Sequence, residues 1–393
     1  MPDSHTQPIL FVGYDASRTG APLLLLHLLR WLKTHTDIPF QILLQYEGEL
    51  ISEFEALAPV TIFHKEFPLK QDLYSKIARH FGFQKDERLV YLQHVKKKFL
   101  HKNIALIYCN TIANGRILEE LMNLSCPIIC HVHELEYAIQ YYGIENFELV
   151  KKHVQHYIAV SKAVKQNLIN NHNISEANID VIYEYLPIQS RRPPLNNTLR
   201  KHICQQLKIP LNAMIVCASG TIDWRKGADL FIQLAQILYK KYPASSIHFL
   251  WIGEEREFTQ RQFLHDLTHL ELDQYVHFLG TKSNPLDYFL VSDVFVLVSR
   301  EDPFPLVCLE AASLGKPIIC FDRAGGAQEF VEDDAGFVVP YLDIEDMAEK
   351  VIALISSQEL RQRLGLRAQQ KVQTHDIEVI APQILHLIKK FLV

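Results

Sequence analysis

Short, continuously apolar runs rich in Val and Ile alternate with longer stretches of helical periodicity. This alternation constrains the fold more than any other feature. In the first half the runs are ILFVGYD (9–15), FQILLQY (40–46), VTIFH (60–64), IALIYCN (104–110), PIICHVHE (127–134), HYIAVS (156–161) and DVIYEYL (180–186). In the second half they are AMIVCASG (213–220), SIHFLWIG (246–253), YVHFLG (275–280), VFVLVS (294–299), PIICFD (317–322) and GFVVP (336–340). Helix-length segments such as FQKDERLVYLQHVKKKFLHK lie between most of them. Strand–helix alternation predicts parallel sheets, and continuous rather than alternating apolarity predicts sheets covered on both faces.

A chain of 393 residues is too long for one ordinary core. The rhythm breaks once, at PIQSRRPPLNNT (187–198), which is polar, has three prolines and carries Arg191-Arg192. A linker placed there predicts two doubly wound Rossmann-like α/β domains, 1–187 and 188–374. The tail 375–393 has helical periodicity and is expected to pack back toward the first domain. Open α/β sheets bind ligands beyond the carboxyl ends of their strands, so function is expected in the loops that follow them.

The formal net charge of −5, with no basic stripe interleaved with aromatics, argues against general nucleic-acid binding. Lys96-Lys97-Lys98 reads as a solvated helix face, with an anionic membrane patch as its alternative. Seven cysteines scattered through apolar runs predict reduced thiols rather than a disulfide framework. The start MPDSHTQPILFVGYD lacks a basic region and a long apolar core, so no signal peptide is expected. PLLLLHLLRWL (22–32) is too short to span a bilayer and contains His27 and Arg30, so a buried helix is predicted. A cytoplasmic location follows, with a peripheral contact at the inner membrane face as an extension of it.

Three strand–loop–helix units carry chemistry. After AMIVCASG, Gly220 and Gly227 bracket a loop in which Arg225-Lys226 precede a helix. Cations beside a helix start suit a phosphate, although surface charges on a turn would look the same. After VFVLVS, Pro303 and Pro305 stiffen a loop and Gly315 reads as a helix C′ residue, which predicts a short helix from Leu306 to Leu314. Its free N–H groups suit a nucleotide phosphate, and Glu310 lies about one turn in. Glu310 would accept from vicinal hydroxyls; an exposed helix acid is the plainer reading. In PIICFDRAGGAQEFVE, Gly325-Gly326 free the backbone for close approach, as would an ordinary tight turn.

Taken in order, Lys226-Gly227, FLG (278–280), Ser299 and Asp302 with Glu310 eight residues later, EAxxxGKP (310–317) and GGxxE (325–329) resemble the donor domain of family 4 retaining glycosyltransferases, which have the GT-B fold. The resemblance is strong over 213–345. It implies that Glu310 binds the donor ribose hydroxyls and that Asp302 lies near the transferred sugar. It implies further that Lys226 binds the pyrophosphate, and that the backbone of Phe304, Leu306 and Val307 contacts sugar and phosphate. It makes 1–187 the acceptor side and 188–374 the donor side. This sequence departs from the pattern at Asp302, where the family has Glu and where Glu301 is a rival. It departs again at Pro305 for Gly and at Thr221 for Arg, with Arg225 as the replacement charge.

In the first half, Thr19-Gly20-Ala21-Pro22 resembles the family loop in which a glycine approaches the donor phosphate, here Gly20. His133 resembles the family histidine near the transferred sugar, against a satisfied core histidine. Ser161 resembles the serine of a V-S-x-x-V pattern and suits a helix N-cap. Asn110-Thr111 are expected to line the acceptor side. Cys126, Cys130, His131 and His133 invite a zinc reading, but successive strand residues face opposite ways, so no metal site is expected. The resemblance implies a cofactor-free, metal-independent transfer of a hexosyl group from a nucleoside-diphosphate sugar to a glycan or lipid-linked acceptor, in cell-surface polysaccharide or lipopolysaccharide synthesis. The alternatives are another GT-B enzyme, such as a sugar-nucleotide epimerase or glycoside phosphorylase, and a non-catalytic sugar-nucleotide-binding protein.

Overall fold

The computed structural model describes residues 7–64, 87–100, 103–121, 125–188, 197–243, 246–254 and 257–392. The chain forms two compact units. The first comprises Met1–Ala159, Leu168–Ile182 and Ala381–Val393; the second comprises Val160–Asn167 and Tyr183–Ile380. Most of the expected linker, including Arg191 and Arg192, lies outside the described residues.

The first unit is built on seven strands: β1 (Ile9–Gly13), β2 (Phe40–Leu44), β3 (Val60–Ile62), β4 (Leu106–Cys109), β5 (Ile128–Val132), β6 (His156–Ala159) and β7 (Ile179–Val181). Their order is β3-β2-β1-β4-β5-β6-β7 and every pairing is parallel. Parallel neighbours need crossovers, and the helix Gly20–His35 is the first. Its six buried leucines cover the sheet, which explains an apolar run that a membrane span would otherwise claim. The order runs outward from β1 in one direction and from β4 in the other, so loops after these two strands diverge and leave room for a ligand.

The second unit repeats the plan with β8 (Met214–Ser219), β9 (Ile247–Ile252), β10 (Val276–Phe278), β11 (Val294–Leu297), β12 (Ile318–Phe321) and β13 (Gly336–Val339). The order is β10-β9-β8-β11-β12-β13, again all parallel. Its core joins Val216, Val296 and Ile319 of the sheet to Phe231, Leu234 and Met347 of the covering helices. Here the divergence lies between β8 and β11. Two Rossmann-like α/β domains are therefore present.

One local expectation is corrected. The run DVIYEYL was expected to be a strand throughout, but β7 ends at Val181. As an edge strand it has only β6 to pair with, and the last ladder bond is Ile182 N–H to Ala159 O at 3.0 Å. Beyond it the chain turns away, and Leu186 instead bridges Asp376. The lysine run lies on a partly solvated helix face. On the helix Glu87–Leu100, Lys96 pairs with Glu120 and Lys98 donates to Thr61 Oγ1 at 2.6 Å, which leaves Lys97 exposed. Two of the three charges are thus engaged by side chains of the protein itself. No helix among the described residues is long and apolar enough to cross a membrane.

Candidate functional site

At the divergence in the second unit, two loops are zipped together. The loop after β8 turns at Gly220, whose carbonyl accepts the indole N–H of Trp251 at 2.8 Å. Asp223 Oδ1 then accepts the Lys226 amide at 2.8 Å, an Asx turn that fixes where the lysine leaves the backbone. Gly227 has φ +78°, and a Cβ there would stand 2.0 Å from the carbonyl oxygen of Val298. Only glycine allows the helix Ala228–Lys241 to start this close to the end of β11.

The loop after β11 runs alongside. Arg300 N–H donates to Arg225 O at 2.8 Å, and Arg225 Nη1 donates to Glu301 O at 3.0 Å. Arg300 grips Asp229 through both carboxylate oxygens, at 2.8 and 2.7 Å, and lies over the Trp224 ring at 4.9 Å. The result is a contact between side chains 76 residues apart: Lys226 Nζ donates to Asp302 Oδ2 at 2.5 Å. Ser299 Oγ approaches the same oxygen at 3.5 Å. Asp302 is 4% exposed, and its backbone is bridged to Gly325 through Asp302 N–H to Ala324 O at 2.7 Å. Glycine at 326 is required, since a Cβ would lie 2.5 Å from both the Phe304 ring and Pro303 O.

The short helix runs Leu306–Ser313 and ends at Leu314, with Gly315 at φ +69°. Gly315 N–H reaches Ala312 O at 2.9 Å and Lys316 N–H reaches Ala311 O at 3.1 Å, so its last carbonyls are satisfied by a left-handed C-terminal turn. Pro305 is its N-cap, which costs nothing there because a cap amide is not part of the helical ladder. Leu306 and Val307 form the first turn and are half-buried; Glu310 follows on the second turn, also half-buried. Phe304 is buried. It stacks on His375 at 5.3 Å and 23° and meets Tyr183 at 5.3 Å. This aromatic group fixes the loop between Asp302 and the helix.

One more buried acid is influenced by this pair, and the sequence did not single it out. Glu184 is 5% exposed, and burial followed by the charge of Asp302 holds its carboxyl well above the usual carboxylate range, while Lys226 pulls the other way. Its carbonyl accepts from His375 Nδ1 at 3.0 Å, so its backbone is tied to the ring that supports Phe304. Glu329, the last residue of GGxxE, was quoted in that motif without a role. Its carboxylate accepts the Lys162 and Ala163 amides at 2.9 Å each and the Tyr183 hydroxyl at 3.1 Å. Together with Ser161 Oγ, which accepts from Val164 N–H at 3.1 Å, it caps the helix Lys162–His172.

In the first unit, Gly20 opens its helix and is exposed at the end of the loop after β1. Asn110, just after β4, joins this loop to His133: its amide nitrogen donates to Ala21 O at 2.9 Å and its oxygen faces His133 Nε2 at 3.2 Å. That orientation makes Nε2 the protonated nitrogen. Burial pushes the His133 pKa down to about 4, against a smaller opposing effect of Glu134, so the imidazole is neutral at pH 7. Glu134 Oε2 accepts the His133 amide at 2.8 Å, and Thr111 donates to Oε1. Burial raises the Glu134 carboxyl as well. Its neighbour His131 is a core residue that shares a 2.7 Å hydrogen bond with Tyr108 Oη.

The structure therefore groups Arg225, Lys226, Asp302, Phe304, Leu306, Val307 and Glu310 around the β8–β11 divergence of the second unit. Gly20 and His133 gather at the β1–β4 divergence of the first. Glu134 was legible as the residue after His133. Glu184 had no local signal, because only the fold makes it a buried acid; Glu329 was marked by GGxxE, but its role as a cap comes from the fold.

Residues 200–371 match the family model for glycosyl transferases group 1. An uncharacterized glycosyltransferase of Haemophilus influenzae is 29% identical over 167 residues, which span 42% of this chain and 46% of that protein. The match thus covers less than half of the relative. The crystal structure of Anabaena Alr3699/HepE with UDP and glucose superposes with a TM-score of 0.78, at 20% identity, over 98% of this chain and 99% of that one. WaaG, a glycosyltransferase involved in lipopolysaccharide biosynthesis, gives a TM-score of 0.69 at 13% identity, over 97% and 99%. The likeness to these structures shows the GT-B fold, and the similarity to glycosyl transferases group 1 covers residues 200–371.

Proposed function

We propose that this chain is a metal-independent, retaining glycosyltransferase that moves a hexosyl group from a nucleoside-diphosphate sugar to a glycan or lipid-linked acceptor. The reading places it in the cytoplasm, in cell-surface polysaccharide or lipopolysaccharide synthesis. The observation that carries it is the Lys226–Asp302 pair, set at the β8–β11 divergence between an Asx-turned loop and the start of the helix Leu306–Ser313. Glycosyl transfer needs the leaving diphosphate stabilised while positive charge develops at the anomeric carbon. A lysine ammonium and a helix N-terminus supply stabilisation of that kind. In this reading Lys226 transfers from Asp302 to the diphosphate, and the freed Asp302 carboxylate faces the transferred sugar. Glu310, one turn into the helix, accepts from the ribose hydroxyls, and Arg225 adds a second cation. In the first unit, the family resemblance assigns Gly20 to the donor phosphate and His133, a neutral imidazole whose Nε2–H is oriented by Asn110, to the transferred sugar. Retention follows from front-face attack, in which the departing phosphate oxygen takes the acceptor proton.

UDP is the first nucleotide to test, since the Anabaena structure holds UDP and glucose. A thermal-shift screen with UDP-, GDP- and ADP-sugars identifies the donor, because a ligand bound only by the native state raises its melting point. With that donor and an acceptor extract, Lys226→Ala and Glu310→Ala abolish transfer while the protein remains folded. Near-normal transfer in both variants would sink the assignment.

A further inference from the structure

The carboxyl edge of the first sheet carries a row of aromatic side chains that the proposed function leaves unused. β1, β2 and β3 are consecutive neighbours, and their ladder continues past the last strand residues. Gln45 N–H reaches Gly13 O at 3.1 Å and Tyr46 N–H reaches Tyr14 O at 3.0 Å. Phe63 N–H reaches Leu44 O at 2.7 Å and His64 N–H reaches Gln45 O at 2.9 Å. These bonds set Tyr14, Tyr46 and His64 side by side, one after each strand. The Tyr14 and Tyr46 rings meet edge to face at 5.4 Å, and the Tyr46 and His64 rings stack at 5.2 Å and 28°. Tyr46, at the middle of the row, is nonetheless 43% exposed, while Tyr14 and His64 are half-buried. A tyrosine held by its backbone and by a ring on either side, yet facing solvent, gives up little further entropy when it binds a ligand.

We propose that the Tyr14–Tyr46–His64 row is a sugar-binding platform on the acceptor side, centred on Tyr46, and that the acceptor presents a neutral sugar residue to it. This rests on the transferase reading above and names the acceptor chemistry. A pyranose has a face of C–H groups that packs on aromatic rings and a rim of hydroxyls that needs hydrogen-bond partners. The row supplies the rings. The tyrosine hydroxyls supply partners, as do the carboxylates of Asp15 and Glu47, the residues directly after Tyr14 and Tyr46. Asp15 Oδ1 accepts from the Ser17 amide at 3.0 Å and from Ser17 Oγ at 2.8 Å, which orients that carboxylate. The same two acids oppose an anionic membrane surface, the other common partner of solvent-facing tyrosines. The row is also continuous with the first-unit residues that the proposed function uses. All seven strands are parallel, so their carboxyl ends share one edge. Along that edge Tyr14 leads into the loop that carries Gly20, and Asn110 ties this loop to His133.

The test is an array of neutral and acidic glycans probed with the labelled full chain in the presence of UDP. The best-bound neutral glycan is then titrated into wild type, Tyr46→Ala, Tyr46→Phe and His64→Ala. Tyr46→Ala weakens binding about tenfold, the scale of one aromatic contact, and Tyr46→Phe stays within about threefold of wild type because it keeps the ring. His64→Ala, at the far end of the row, also weakens binding, and that arm stands even if Tyr46→Ala folds poorly. Equal melting points and equal UDP-induced shifts assign the losses to the glycan rather than to the fold. The proposal is overturned if no neutral glycan is retained, if both alanine variants bind like wild type, or if Tyr46→Phe loses as much as Tyr46→Ala. It is overturned equally if phosphatidylglycerol vesicles sediment the wild type and not Tyr46→Ala, since the row is then a membrane contact. If a neutral glycan binds through Tyr46 while no UDP-, GDP- or ADP-sugar binds, the transferase reading fails and the sugar platform stands.

Discussion

Replacing Lys226 by Met tests the geometry of the second-unit site independently of any substrate. The substitution keeps most of the side-chain volume and removes the charge. Asp302 is then left 4% exposed with Ser299 Oγ at 3.5 Å as its remaining side-chain hydrogen-bond partner among the described residues. Removing one partner of a buried ion pair costs about 3–5 kcal/mol, because an uncompensated charge stays behind. The lysine side chain keeps 16% of its exposure, which lets water reach the carboxylate and sets the expectation at the low end, about 3 kcal/mol. Urea unfolding followed through the fluorescence of buried Trp251, in the core of the same unit, reads this loss directly. Adding Asp302→Asn to Lys226→Met removes the orphaned charge and recovers all but about 1 kcal/mol, since the two side chains are coupled rather than additive. Charge-assisted hydrogen bonds contribute about 1.5–3 kcal/mol, so UDP affinity falls by up to about 100-fold in both variants. Stability and binding therefore separate: the double variant regains the first and not the second. A loss under about 1 kcal/mol in the single variant would show a solvated pair. A double variant as unstable as the single one would refute the coupling.

Gly227→Ala is expected to lose more than about 2 kcal/mol, because a left-handed backbone costs an L-residue about 1–2 kcal/mol and its Cβ also overlaps the Val298 carbonyl. A circular-dichroism melt measures the loss, and unchanged stability would mean that the loop has room to shift. Glu329→Ala removes the cap on two helix amides and is expected to cost about 1–2 kcal/mol in urea, with Glu329→Gln intermediate; no change in either would show that water caps the helix equally well. His133 takes up its proton near pH 4 in the fold rather than near 6.5, so the unfolded chain binds more protons between those values. Stability therefore falls as pH drops through that window, by about 2 kcal/mol once partial exposure is allowed for, and His133→Asn flattens the slope. A slope that is the same in His133→Asn would assign it to another group.

Local chemistry was legible in the sequence wherever neighbours along the chain decide the outcome. The apolar runs marked the strands because a sheet covered on both faces needs apolar residues at every position. Gly315 closed the helix Leu306–Ser313 because its φ of +69° suits glycine above other residues. Ser161 became an N-cap because the amide it accepts is three residues on. Where partners come from far along the chain, the sequence was silent or misleading. DVIYEYL has strand composition throughout, yet only its start has a neighbour to pair with, and nothing local records where that neighbour ends. Lys98 reads as a surface charge until Thr61 is brought beside it. Lys226 and Asp302 are each ordinary loop residues, and their contact exists because Gly227 lets a helix start against β11. Glu184 shows the difference most clearly. Whether a carboxyl carries a charge depends on the water it loses and the charges it meets, and the fold, not the adjacent residues, supplies both.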